Sequence, residues 1–226
     1  MTSPEAILHG LAPGSHASQL FSRVAFGAGA TGVLLLAGLH LAKPDLSPSW
    51  HMVSEYAIGR HGWLMTACFA TLAIGSVALT IGLLPHTGST LGRIGLAFLL
   101  ATACGYAIAA IFPTDPISVS PEHASPAARL HAIAFAIGVP SFILASQMVS
   151  FALVGNPLWD GVRRALFSFA NLNWIGLVIM IAIIATLLPK AGGFGPEVPV
   201  GWPNRLMFIT YFGWIMTAAW PLAQFR

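Results

Sequence analysis

Six stretches of nearly unbroken apolar side chains, near residues 24–42, 62–84, 94–112, 132–154, 166–188 and 206–222, dominate this chain of 226 residues. As helices rising 1.5 Å per residue, they approach or cross a hydrocarbon layer about 30 Å thick. Charged residues are only 8% of the chain, against about a quarter in a soluble domain. A single water-facing core could not hide that much apolar surface. In lipid the backbone must satisfy its own hydrogen bonds, which favours helices. The chain therefore reads as all-α: an integral membrane bundle of six transmembrane helices over residues 24–222, behind a polar tail at residues 1–23. The tail and the "HLAKPD" exit from the first span suit an uncleaved anchor better than a signal peptide.

The formal charge of +3 comes from ten basic and seven acidic residues. The basic residues flank the apolar runs and form no basic cluster, so they read as membrane-edge anchors, and nucleic acid is not an expected partner. Trp50, Trp63, Trp159, Trp202 and Trp220 lie near span ends, as an interfacial belt requires. Cys68 and Cys104 fall inside apolar runs and read as small thiols. In span three, Ala97, Ala101, Gly105 and Ala109 form a small-residue stripe, which makes that helix the expected centre of the bundle. Ala25 with Gly29, and Ala28 with Gly32, do the same on a shorter scale in span one. Asn171 and Asn173 are expected to face other helices. Basic residues divide five to five between the two membrane sides. The Arg163 and Arg164 pair in a short loop tips the assignment to a multi-pass protein of the cell membrane with cytoplasmic termini.

The acids are not divided evenly. Five of the seven, with His40, His51, His61, His123 and His131, fall on the side of the first, third and fifth loops. Titratable groups at membrane depth are costly and mark candidate sites, although loop ends are wet and lower that cost. The first loop reads "KPDLSPSWHMVSEYAIGRHGW". Ser47 suits an N-cap, Pro48 the first helical position and Gly59 a stop, which predicts a short interfacial helix. On that helix His51, Ser54 and Glu55 share one face, while Trp50, Val53 and Ala57 share another. A plain interfacial cap would show the same pattern.

The third loop reads "FPTDPISVSPEHASPAARLHAIAF". Asp115 precedes a proline and cannot continue the helix; a turn or capping carboxylate is its ordinary use. Ser125 and Pro126 supply a cap and first position, which places His131 about two turns inside the next helix. Asp115, His123 and His131 are the right residue types for a divalent metal such as zinc, but no HExxH or CxxC spacing supports a site. The candidate catalytic set is Ser54, Glu55, Asp115, His123 and His131, with acids and histidines as base, acid or ligand. Ser54, His131 and Asp115 also make a nucleophile triad by composition, without an elbow motif. These groups suit a lipid-processing or hydrolase-like membrane enzyme. The alternatives are a protein that binds or transports a lipid or small molecule, and a structural or regulatory subunit. Membrane lipids are the expected partners.

The segments "SEYAIGRHGWLMTACFATLAIGSVALTIGLL", "FPTDP" and "EHASPAARLH" resemble an uncharacterised bacterial polytopic membrane family, catalogued as domain of unknown function 998. The resemblance runs from about residue 24 to 222. Its pattern falls on Ser54, Glu55, Tyr56, Gly62, Trp63, Pro113, Asp115, His123 and His131. It implies a polytopic helical bundle and supplies no established reaction. Through the Ser-acid motif after the first span, the chain is more distantly similar to eukaryotic membrane families associated with lipid remodelling and lipid asymmetry.

Overall fold

The computed structural model describes residues 15–224, so most of the expected polar tail lies outside the described residues. Among the described residues six α-helices follow one another: α1 (His16–Ala42), α2 (Gly62–Leu83), α3 (Thr90–Ile111), α4 (Pro126–Leu153), α5 (Arg163–Ala191) and α6 (Gly201–Ala223). There is no strand among the described residues. The shortest of the six has 22 residues, about 33 Å of helix, enough to cross a bilayer core. All six are long and apolar enough to span a membrane. The protein is an all-α membrane bundle.

Several helices begin earlier than hydropathy suggests, because a serine caps them. The side chains of Ser15, Ser89 and Ser125 accept the backbone N–H of Ser18, Gly92 and Ala128. Each cap satisfies one of the orphan donors of a first turn. α1 thus starts at His16 and takes in residues that hydropathy alone assigns to the tail.

Sequential helices pack side by side, and α6 closes the arrangement by packing against both α5 and α1, with further contacts to α2 and α4. α6 is the most buried span and α5 the least. The central helix is therefore α6, not α3. The stripe on α3 serves a pairwise contact instead: a Cβ on Gly105 would lie 2.7 Å from the Gly138 Cα of α4. Ala97, at the other end of the stripe, faces outward. On α1, Gly29 and Gly32 leave room for Met216 and Phe212 of α6. Without a hydrophobic drive between helices in lipid, such close approach is what generates dispersion contact. Asn173 is buried and accepts a hydrogen bond from Thr210, whereas Asn171 faces outward. Trp63, Trp202 and Trp220 are exposed near span ends, but Trp159 is buried and donates its indole N–H to the Ala218 carbonyl.

Candidate functional site

The first loop does not form the helix expected from Ser47. It turns at residues 48–50 and then makes a short 3-10 helix, Val53–Ala57. Glu55 sets the start of that helix, because its Oε2 accepts the Met52 N–H at 2.7 Å. The carboxylate thus caps the end where backbone N–H groups are unpaired. Val53, Glu55 and Tyr56 are all buried, so this helix dips into the bundle mouth. The exit "IGRHG" reverses the chain with Gly59 at φ 72 and His61 at φ 64. Gly62 follows because nothing larger fits: a Cβ there would sit 2.1 Å from the Ala57 carbonyl oxygen.

Glu55 also reaches the third loop. Its Oε1 accepts His51 Nδ1–H at 3.1 Å and the Ile117 N–H at 3.0 Å. Since an ionised carboxylate only accepts, Nδ1 is the protonated nitrogen of His51. With three donors on two oxygens at 2% exposure, Glu55 is a buried charge stabilised by hydrogen bonding. Asp115 is committed in the same way. Its Oδ2 accepts the Ser125 N–H at 2.7 Å and its Oδ1 the Ser125 hydroxyl at 3.0 Å. Ser125 in turn caps α4, so Asp115 fastens "PTDP" to the first turn of that helix.

His123 lies apart, exposed at the surface with Nδ1 2.9 Å from the Ser120 hydroxyl. His131 is buried on α4, and its Nδ1 is 2.8 Å from the Phe112 carbonyl oxygen. A carbonyl can only accept, so Nδ1 carries the hydrogen and the neutral ring leaves Nε2 with a free lone pair. Ser54 and His131 both line a cavity of about 20 Å³, walled also by Phe69, Tyr106, Asn204 and Phe208. That is room for about one water. Asn204 Oδ1 is occupied by the Val53 N–H at 2.8 Å, which leaves its amide N–H groups as the donors. The Tyr106 and Tyr211 side chains are both buried, with ring centroids 6.3 Å apart.

The five candidate residues therefore separate. Ser54 and His131 meet at one cavity, Glu55 and Asp115 are spent on loop joints, and His123 stands outside. Asp115, His123 and His131 do not converge as a metal-binding set. Among the described residues no three His, Cys, Asp or Glu side chains are grouped to hold a metal ion. Nor does Asp115 orient His131 as a triad acid would; the Phe112 carbonyl holds that nitrogen instead.

Arg205 is the centre of a hub and not one of the membrane-edge anchors that basic residues flanking the apolar runs are expected to be. Because α6 begins at Gly201, Arg205 is a full turn inside and 4% exposed. Its Nη1 donates to the carbonyls of Pro48, His51 and Gly201 at 3.0, 2.7 and 3.1 Å. Nη2 donates to the Tyr56 hydroxyl at 3.1 Å, and Nε to His40 Nε2 at 2.9 Å. His40 Nδ1, 2.7 Å from the Leu36 carbonyl, must then carry the hydrogen of a neutral ring. Lys43, also buried, donates its ammonium to the Tyr56 and Ile58 carbonyls. Burial pushes the Lys43 pKa down, opposed by the carboxylates of Asp45 and Glu55. Gly201 completes the seat: its N–H donates to the Ser49 carbonyl at 2.9 Å, and a Cβ would fall 2.3 Å from the Pro48 carbonyl oxygen. The run "GWPNRL" carried the signal, with a proline suited to a first helical turn ahead of Asn204 and Arg205.

Residues 26–221 match the model of a family described as protein of unknown function (DUF998). No curated protein and no solved structure matches the chain. The match covers most of the sequence, and the chain belongs to this family.

Proposed function

We propose that this member of the DUF998 family is a lipid-processing, hydrolase-like membrane enzyme with Ser54 as nucleophile and His131 as general base. The observation that carries the reading is their shared cavity, with the His131 tautomer set by the Phe112 carbonyl. Nε2 of His131 takes the Ser54 hydroxyl proton as Oγ attacks an ester carbonyl carbon. The imidazolium returns that proton to the departing alcohol, leaving an acyl-serine. One water, activated by the same Nε2, then cleaves the acyl-serine and restores the hydroxyl. The Asn204 amide and the Tyr106 hydroxyl are the nearby neutral donors for the transient oxyanion.

The ester belongs to a membrane lipid in this reading. Phe135 lines the cavity and is 37% exposed on the outer surface of α4. It is the partition between the cavity and the lipid phase, and its rotation opens a lateral entrance. The protein resides in the cell membrane, with the Arg163 and Arg164 loop and both termini cytoplasmic and the cavity on the opposite side. The test is fatty-acid release from phospholipid vesicles carrying the purified protein. Ser54→Ala is expected to lower release more than about 100-fold. No release by the unaltered protein, or equal release by the variant, overturns the reading.

A further inference from the structure

An apolar groove of about 420 Å³ runs along the outside of the bundle between α1 and α6. Val33 and Ala37 form one wall and Ile209 the other, while His40, Arg205 and Trp202 sit at the loop end. Both helices are long and apolar enough to span a membrane, so the groove lies on the outer, lipid-facing side of the bundle.

The loop end has a different character. A guanidinium stays charged at any physiological pH. Among the described residues, Arg205 pairs with three backbone carbonyls, a histidine and a tyrosine hydroxyl, and with no carboxylate. The neighbouring buried cation, Lys43, is likewise bonded to carbonyls. Glu55 is the buried carboxylate of this layer, and three other donors already occupy it. Among the described residues, the head of the groove thus holds the Arg205 guanidinium with no carboxylate bonded to it, while Asp45 and Glu55 act on Lys43 instead. Trp202, 59% exposed, stands at the level where an interfacial indole meets headgroups.

We propose that this groove binds an anionic phospholipid, with one acyl chain laid along Val33, Ala37 and Ile209 and the phosphate drawn to the Arg205 end. Arg205 is already held by the first loop, so it attracts the headgroup as a fixed charge without reorganising. Selectivity falls on headgroup charge, since an apolar trough accepts any acyl chain. The site stands apart from the Ser54 cavity, and the inference does not rest on the hydrolytic reading.

The test is native mass spectrometry of the purified full chain taken from vesicles of equal phosphatidylglycerol and phosphatidylcholine. The unaltered protein is expected to retain phosphatidylglycerol over phosphatidylcholine by about fivefold, the effect of one interfacial cation. Ala37→Trp and, from the opposite wall, Ile209→Trp fill the groove without changing the net charge or the Arg205 contacts, and either abolishes the excess. Both positions face outward, and the comparison uses whichever variant keeps the unaltered unfolding midpoint. Equal retention of the two lipids overturns the proposal. An excess that survives the filled groove assigns the preference to annular lipid and also overturns it. Ser54→Ala leaves the excess in place, which separates this proposal from the catalytic one.

Discussion

Glu55 Oε1 accepts the backbone N–H of Ile117 at 3.0 Å, across 62 positions of sequence. Through this one oxygen the first loop is locked to the third, and the cavity that holds Ser54 and His131 lies among the helices that these loops join. Glu55→Gln keeps the shape but sets an NH2 group against donors on at least one side. A buried donor left unpaired costs about 1–3 kcal/mol. The unfolding midpoint in detergent is expected to fall accordingly, with faster proteolysis of the third loop; an unchanged midpoint would show the joint to be idle.

Gly62 is held by space alone. Gly62→Ala puts a methyl group against the Ala57 carbonyl oxygen at 2.1 Å, and the backbone cannot yield as a side chain would. Destabilisation of about 1–3 kcal/mol or more is expected from such overpacking. His61→Gly, one residue earlier, relieves a left-handed conformation and is expected to be neutral or stabilising by up to about 1 kcal/mol. The thermal unfolding midpoint is expected to fall for Gly62→Ala and to hold or rise for His61→Gly.

Arg205→Lys retains the charge and loses the fork. A single ammonium cannot reach three carbonyls, a hydroxyl and an imidazole at once. A loss of about 3–5 kcal/mol, typical of a broken buried charged network, is expected, together with increased protease access to residues 48–56. A lysine variant with unaltered stability would show that charge alone secures the loop.

Lys43 makes stability depend on pH with a definite sign. Burial lowers its pKa in the folded protein, so between that lowered value and the ordinary 10.5 the unfolded chain binds more protons. Stability must then rise as pH rises through this window. Lys43→Met removes that part of the rise. Unfolding midpoints measured across the alkaline range, with and without the substitution, check it; parallel curves would contradict the assignment.

The spans were legible because hydropathy over 17 or more residues has few other meanings, and the helices end close to where the apolar runs end. Their starts were less so, since one serine extends a helix by a turn or more into polar sequence, as Ser15 does for α1; Ser125 was readable because Pro126 follows it. In the first loop the i, i+4 spacing placed His51 and Glu55 on one face, and the two are 3.1 Å apart, although the helix expected to carry both contains only Glu55. Acid and histidine content drew Asp115 and His123 into the candidate site. Residue type does not reveal that a carboxylate is already filled by backbone donors, as Asp115 is by Ser125. Arg205 was missed for the converse reason. Its acceptors are mostly main-chain carbonyls, which carry no mark in a sequence.

The most direct test of the Ser54–His131 site is covalent labelling. Purified protein in lipid is treated with a fluorophosphonate, and the modified peptide is identified by mass spectrometry. A phosphonyl group on Ser54 is predicted, absent from Ser54→Ala and formed at least about 100-fold more slowly in His131→Ala, the usual worth of a general base. An unmodified Ser54 in the folded protein, or labelling indifferent to His131, would contradict the account.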